Sequence, residues 1–140
     1  MIHEYYKELQ NNQNIRENLR LLRSECKDPQ ARETLLSLVG DGALLTGLLE
    51  SDEPKVRKNA ALLLGSLGLL QTAGSLFHAY EREQTLFVRS AYLTALSGME
   101  VSPYLEALKE HRDALLAREI PENEKKHVNE ELRELERIIT

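Results

Sequence analysis

The chain has 140 residues, a formal charge of −5, a single cysteine and no tryptophan, a size for one domain or one short repeat array. The lone Cys26 excludes an internal disulfide and fits a reducing cytosol; no apolar run approaches the ~18 residues of a spanning helix, and the Met1–Tyr6 start has no signal-peptide pattern, so a cytoplasmic protein without a membrane partner is expected. Twenty-seven leucines against five valines and five isoleucines point to helices rather than strands, and the acidic balance speaks against non-specific nucleic-acid binding by the whole surface while leaving local patches open.

In chain order, residues 2–10 form a short leading helix that the polar run Asn11-Asn12-Gln13-Asn14 ends, so that 1–14 act as an N-terminal cap. Asn14 with Glu17 reads as a capping box for the next helix, whose apolar stripe is Ile15, Leu19, Leu22 and Cys26. Further helices are predicted at 29–39, 42–50, 54–67, 70–81, 85–98, 103–118 and 121–139. Asp28-Pro29 and Ser102-Pro103 each pair a good cap with a proline in the first turn. Gly40, Gly42, Gly68 and Gly98 supply stops. Val128, Leu132, Leu135 and Ile139 form the stripe of the last helix, and its Glu122, Glu124, Lys125, Lys126, Glu130, Glu131, Arg133 and Glu134 read as an exposed face. Paired off, the helices make about four hairpins: 15–118 as repeats, 119–140 as a C-terminal capping helix, 1–140 as one domain.

The repeat is visible when the chain is slid against itself. Val56-Arg57-Lys58-Asn59-Ala60-Ala61-Leu62-Leu63-Leu64-Gly65-Ser66-Leu67 aligns at an offset of 32 with Val88-Arg89-Ser90-Ala91-Tyr92-Leu93-Thr94-Ala95-Leu96-Ser97-Gly98-Met99. A fainter copy begins at Ala31-Arg32. The stretch Glu53-Pro54-x-Val56-Arg57-x-x-Ala60-Ala61-x-x-Leu64-Gly65-x-Leu67-Gly68 resembles the HEAT repeat of the armadillo-type α-solenoids. That resemblance spans roughly residues 28–118 and is strongest in 52–99. It implies an all-α, short right-handed α-α superhelix in which this stretch is the second helix of each pair. It also implies an arginine at each repeat junction, for which Asp52 is the candidate partner of Arg57; Gln84, its counterpart one unit on, breaks the pattern. The runs Lys55–Gly65 and Thr85–Leu93 also resemble, more loosely, the helical-repeat domain ahead of the catalytic part in some bacterial S-adenosylmethionine-dependent RNA methyltransferases.

No catalytic, cofactor or metal signature emerges. The histidines at 3, 78, 111 and 127 have no ligand spacing, and His111 reads as a structural residue at a buried helix edge. Gly65-Ser66-Leu67-Gly68 reads as packing and helix termination rather than a phosphate-gripping turn, and Cys26 as an inert buried thiol. One polar pattern is left over. Arg16, Arg20, Arg23 and Lys27 recur at i, i+4, i+7 and i+11 within about 60° of helix surface, with no carboxylate in that arc. They mark either a solvated face or a contact for phosphate or an acidic partner. Lys55, Arg57 and Lys58 place positive charge at a helix N-terminus, against the macrodipole. Solenoids usually bind other chains, and by the HEAT resemblance the second helices line the binding surface. A non-catalytic module for a protein partner is therefore expected, with Lys55, Lys58, Asn59, Ser90 and Thr94 as contact positions. The alternative is an RNA-contacting accessory domain of a methyltransferase-like protein, using the basic ridge.

Overall fold

The computed structural model of the chain describes residues 1–140 and contains nine α-helices and no strand: α1 (Ile2–Gln10), α2 (Ile15–Glu25), α3 (Pro29–Val39), α4 (Ala43–Leu48), α5 (Pro54–Leu67), α6 (Ala73–Arg82), α7 (Leu86–Leu96), α8 (Leu105–Ala117) and α9 (Lys125–Ile139). Three of the expected starts, at Leu70–Thr72, Ser102–Tyr104 and Glu122–Glu124, are single 3-10 turns that lead into α6, α8 and α9. In packing terms α2, α5, α7 and α9 lie side by side as one row, and α1, α4, α6 and α8 each back onto one member of it. No helix is long and apolar enough to cross a membrane.

The local causes are legible. Asp28 accepts from the Ala31 N–H at 3.1 Å, with Pro29 just inside the helix, so α3 begins where cap and proline meet. Gly68 ends α5 in the left-handed region at φ 64°, where a side chain would be strained. Two expected caps are not made. Asn14 is itself left-handed at φ 47°, and its side chain donates back to Glu8 at 3.1 Å; the tight α1–α2 turn takes the residue a capping box would need. Asn18, buried on α2, donates to the same Glu8 oxygen and to the Gln13 carbonyl, each at 3.0 Å. These two amides, Asn18 above all, hold the Glu8 carboxyl below its ordinary value. Ser102 does not cap either: it lies inside its 3-10 turn, and its N–H and hydroxyl both donate to Glu100.

The sequence repeat reappears as a repeat of burial. Val56, Ala60, Ala61, Leu63, Leu64 and Leu67 are buried, and so are their counterparts 32 residues on: Val88, Tyr92, Leu93, Ala95, Leu96 and Met99. A Cβ on Gly65 would sit 2.7 Å from the Ala95 Cα, nearer than backbone can yield, so this glycine sets how closely α5 and α7 approach. Gly65 is thus a packing position.

Candidate partner-binding face

The exposed side of the α2–α5–α7–α9 row carries two clefts, one on each flank of α5. The first, about 520 Å³, lies between α2 and α5. Arg20, Arg23 and Lys27 line it from the α2 side, with Ser24; Asn59 and Ser66 line it from α5. Cys26 adds apolar surface over the buried Leu19, and no carboxylate is among the lining residues. The helix phase explains the arrangement: Leu19 and Leu22 turn into the core, which leaves the cations one step around the helix in water. Arg20 hydrogen-bonds Glu17 through two nitrogens, at 3.2 and 2.5 Å. That contact lifts the guanidinium above its ordinary value and lowers the carboxylate, but both partners are more than half exposed, where such pairs contribute little. Arg23 and Lys27 form no ion pair within 4 Å. Arg16, also exposed, stands apart from this cleft, beside Glu17 and Glu53 in a shallow recess at the start of α2.

The second cleft, about 370 Å³, lies among α5, α7 and α9 and brings together Lys58, Phe87, Ser90, Thr94, Lys126 and His127, with Glu130 at its border. The Lys58 ammonium sits 5.8 Å from the Phe87 ring centroid, and the Thr94 hydroxyl donates to the Ser90 carbonyl at 3.0 Å. Of the nine positions expected to contact a partner, Arg20, Arg23, Lys27 and Asn59 thus share one cleft and Lys58, Ser90 and Thr94 the other. Lys55 is exposed at the start of α5 and lines neither.

The motif arginines have a different fate. Arg57 does not pair with Asp52. It grips Glu83 through Nε and Nη2, both at 2.8 Å, and donates to the Ser51 carbonyl at 2.8 Å. Arg89 pairs with Glu131 at 2.9 Å and donates to the Glu83 carbonyl at 2.6 Å. Carbonyls 51 and 83 are again 32 residues apart, so the repeat persists in the hydrogen bonds. The ladder therefore runs past Gln84, because each arginine takes its acid from a segment far along the chain. Glu131 is 1% exposed and does not belong to the solvated face of α9. It stands in phase with Val128 and Leu135, and its second oxygen accepts from the Tyr80 hydroxyl at 2.5 Å.

Both carboxylates are fully engaged, which makes them structural. Glu83 accepts from Arg57, from the Tyr92 hydroxyl at 2.9 Å and from the Thr85 N–H at 3.1 Å. Burial alone would push its carboxyl up, but Arg57, Thr85 and Tyr92 together hold it below the ordinary range. Burial, reinforced by the neighbouring carboxylates, pushes the Tyr80 and Tyr92 hydroxyls far above theirs. Arg57 and Arg89 are both held more firmly protonated than usual, Arg57 chiefly by its bonds to Glu83 and Arg89 by Glu131 against the opposing effect of burial. Neither junction leaves a free base or nucleophile.

The remaining titratable groups fall into place around this frame. His111 bonds Glu81 at 3.1 Å and presents an edge to the Tyr80 ring, with centroids 5.1 Å apart. Cys26 is half-buried rather than enclosed, and burial, first among its influences, raises its thiol. Arg32, from the faint repeat copy, donates to the Ser66 and Leu67 carbonyls at 3.0 and 2.7 Å, so the end of α5 is closed by protein. No three His, Cys, Asp or Glu side chains converge as metal ligands. No protein-family model, curated protein or solved structure matches this chain.

Proposed function

We propose that this chain is a non-catalytic helical-repeat interaction module of HEAT-like, right-handed superhelical form, whose α2–α5–α7–α9 row receives an acidic segment of a protein partner in the cytoplasm. The architectural half of the proposal rests on the 32-residue recurrence in burial and in arginine-to-carbonyl bonds. The functional half rests on one observation: Arg20, Arg23 and Lys27 share a cleft with no carboxylate among its lining residues, in a chain of net charge −5. Arg23 and Lys27 have no ion-pair partner and Arg20 holds only the exposed Glu17, and cations so gathered on one face of an acidic protein favour and steer an anionic partner. The hydroxyl and amide donors of Ser24, Asn59 and Ser66 beside them suit carboxylates and backbone carbonyls.

RNA is the second reading, as expected of an accessory domain of a methyltransferase-like protein. It draws on the Phe87 ring at the second cleft, since bases stack on aromatic side chains. That ring is already occupied by the Lys58 ammonium, which favours the protein reading.

The test is a fluorescence titration with a labelled 15-residue glutamate-rich peptide, a neutral peptide of equal length and a 15-nucleotide oligouridine. The acidic peptide is expected to bind best, and Arg20→Ala/Arg23→Ala/Lys27→Ala to weaken it by about tenfold or more, with each charge pair steering as well as holding. Equal binding of the two peptides, or no change in the variant, overturns the proposal. Tighter binding of the oligouridine transfers the face to RNA.

A further inference from the structure

The cationic cleft has a complement on the same molecule. On α8, Glu106, Glu110, Asp113 and Ala117 follow the i, i+4, i+7, i+11 spacing that Arg16, Arg20 and Arg23 follow on α2 and Lys27 continues in the turn just past its end. The three carboxylates fall within about 60° of helix surface, and no lysine or arginine shares that arc. All three are exposed. The two stripes lie at opposite ends of the fold: α2 opens the row, whereas α8 backs onto α9, with α5 and α7 between. One copy cannot bring them together. Two copies can.

We propose that the α2–α5 cleft of one copy receives the α8 stripe of a second copy, giving a head-to-tail association of this chain with itself; this names the occupant of the cleft and so rests on the proposed function. The register follows from the spacing. Run antiparallel, α8 presents its acids at intervals of three and then four residues, the sequence intervals that separate Arg20, Arg23 and Lys27. Arg20 then meets Asp113 and Arg23 meets Glu110, an axial step of about 4.5 Å on both helices, and Lys27, in the turn just past the end of α2, reaches toward Glu106. Antiparallel helices also oppose their dipoles favourably. Ala114 and Ala117 on α8 and Ser24 on α2 are small, which permits close approach. Leu116, 64% exposed, flanks the acidic arc and gains cover.

The present partners of these groups do not stand in the way. Arg20 holds Glu17, Asp113 holds Arg112 at 3.0 Å, and Glu106 lies 3.4 Å from Lys109. Asp113 and Glu106 are 67% and 88% exposed, so these contacts exchange easily. Glu110, like Arg23 and Lys27, has no ion-pair partner to give up. Because different surfaces meet, the contact is heterologous and builds open chains unless the rotation closes.

The test is sedimentation of the full chain and two charge-reversed variants. The wild type is expected to exceed its 16.0 kDa monomer mass with rising concentration at low salt, and to return to it near ~0.5 M salt, where screening reaches only a few ångströms. Arg20→Glu/Arg23→Glu/Lys27→Glu and Glu106→Lys/Glu110→Lys/Asp113→Lys are each expected to stay monomeric alone, and to associate when mixed. Circular dichroism checks that both variants fold. A wild type that remains at monomer mass at millimolar concentration and low salt overturns the self-association, as does a mixture that stays monomeric. If the glutamate-rich peptide still binds in that case, only the occupant is wrong; if the peptide also fails, the cleft itself is not a docking site.

Discussion

Two sets of arginines make this molecule a comparison with itself. Arg57 and Arg89 enter the protein and are consumed there, each by one carboxylate and by a carbonyl six residues back. Arg16, Arg20 and Arg23 have the same side chain and stay in water, held at most by one exposed glutamate. The difference lies in helix phase. An arginine that follows the first apolar residue of a repeat helix is carried into the seam between units, where low polarity demands a partner. An arginine beside an apolar stripe lies over its edge and keeps its charge available. The first kind ties units together; the second kind is free to recognise.

The sharpest way to break this contrast is to remove a buried cation. Arg89→Ala leaves Glu131, 1% exposed, with only the Tyr80 hydroxyl for company. Stranding one member of a buried pair costs about 3–5 kcal/mol, read as a drop in the urea midpoint. A loss below roughly 1 kcal/mol would place Arg89 with the surface arginines and dissolve the distinction.

The pH response sharpens the same contrast without removing an ion pair. Tyr80 and Tyr92 have hydroxyls pushed up by burial and by Glu131 and Glu83. Above an ordinary tyrosine value of about 10 the unfolded chain releases these protons and the folded chain keeps them, so stability falls as pH rises further. Glu83 works in the other direction. Its carboxyl is lowered in the fold, so its contribution is complete above an ordinary glutamate value of about 4.3 and is lost as pH falls through the folded value. Tyr80→Phe is expected to cost about 1.5–3 kcal/mol at neutral pH, as a bond to a charged group, and to flatten the alkaline limb. If the variant and the parent lose stability in parallel above pH 10, Tyr80 titrates as a surface phenol.

Much of this was written in local sequence, and the rest was out of its reach. Helices α1, α3 and α5 have the predicted limits, and for α3 and α5 this is because prolines and glycines at their ends act over three or four residues. A junction role for the motif arginines was implied by the resemblance to the HEAT repeat. Their partners were not, because Glu83 and Glu131 lie 26 and 42 residues away and only the packing brings them in. Glu131 did carry a sign: it falls three residues after Val128 and four before Leu135, on the buried stripe. Inside the charged run Glu130-Glu131-Leu132-Arg133-Glu134 that phase was masked by composition. The basic ridge was visible as a pattern, whereas the cleft beside it depends on Asn59 and Ser66 of α5, which no spacing within α2 could supply.

The smallest expected effect is the most telling of the three. Arg16→Ala/Arg23→Ala/Lys27→Ala removes three exposed charges, two from α2 and one from the turn that follows it, none of which is ion-paired. Two small terms oppose each other: the long stems cover some core edge, and alanine is the better helix former. The net change is expected to stay within about 0.5 kcal/mol, as for surface substitutions in general. The same variant should bind the glutamate-rich peptide markedly less well. A stability loss comparable to that of Arg89→Ala would show that the ridge holds α2 against its neighbours, and the available charge would then have a structural use. Unchanged stability with lost affinity separates the two sets of arginines by what they do, since only a residue the fold does not need can be removed from recognition alone.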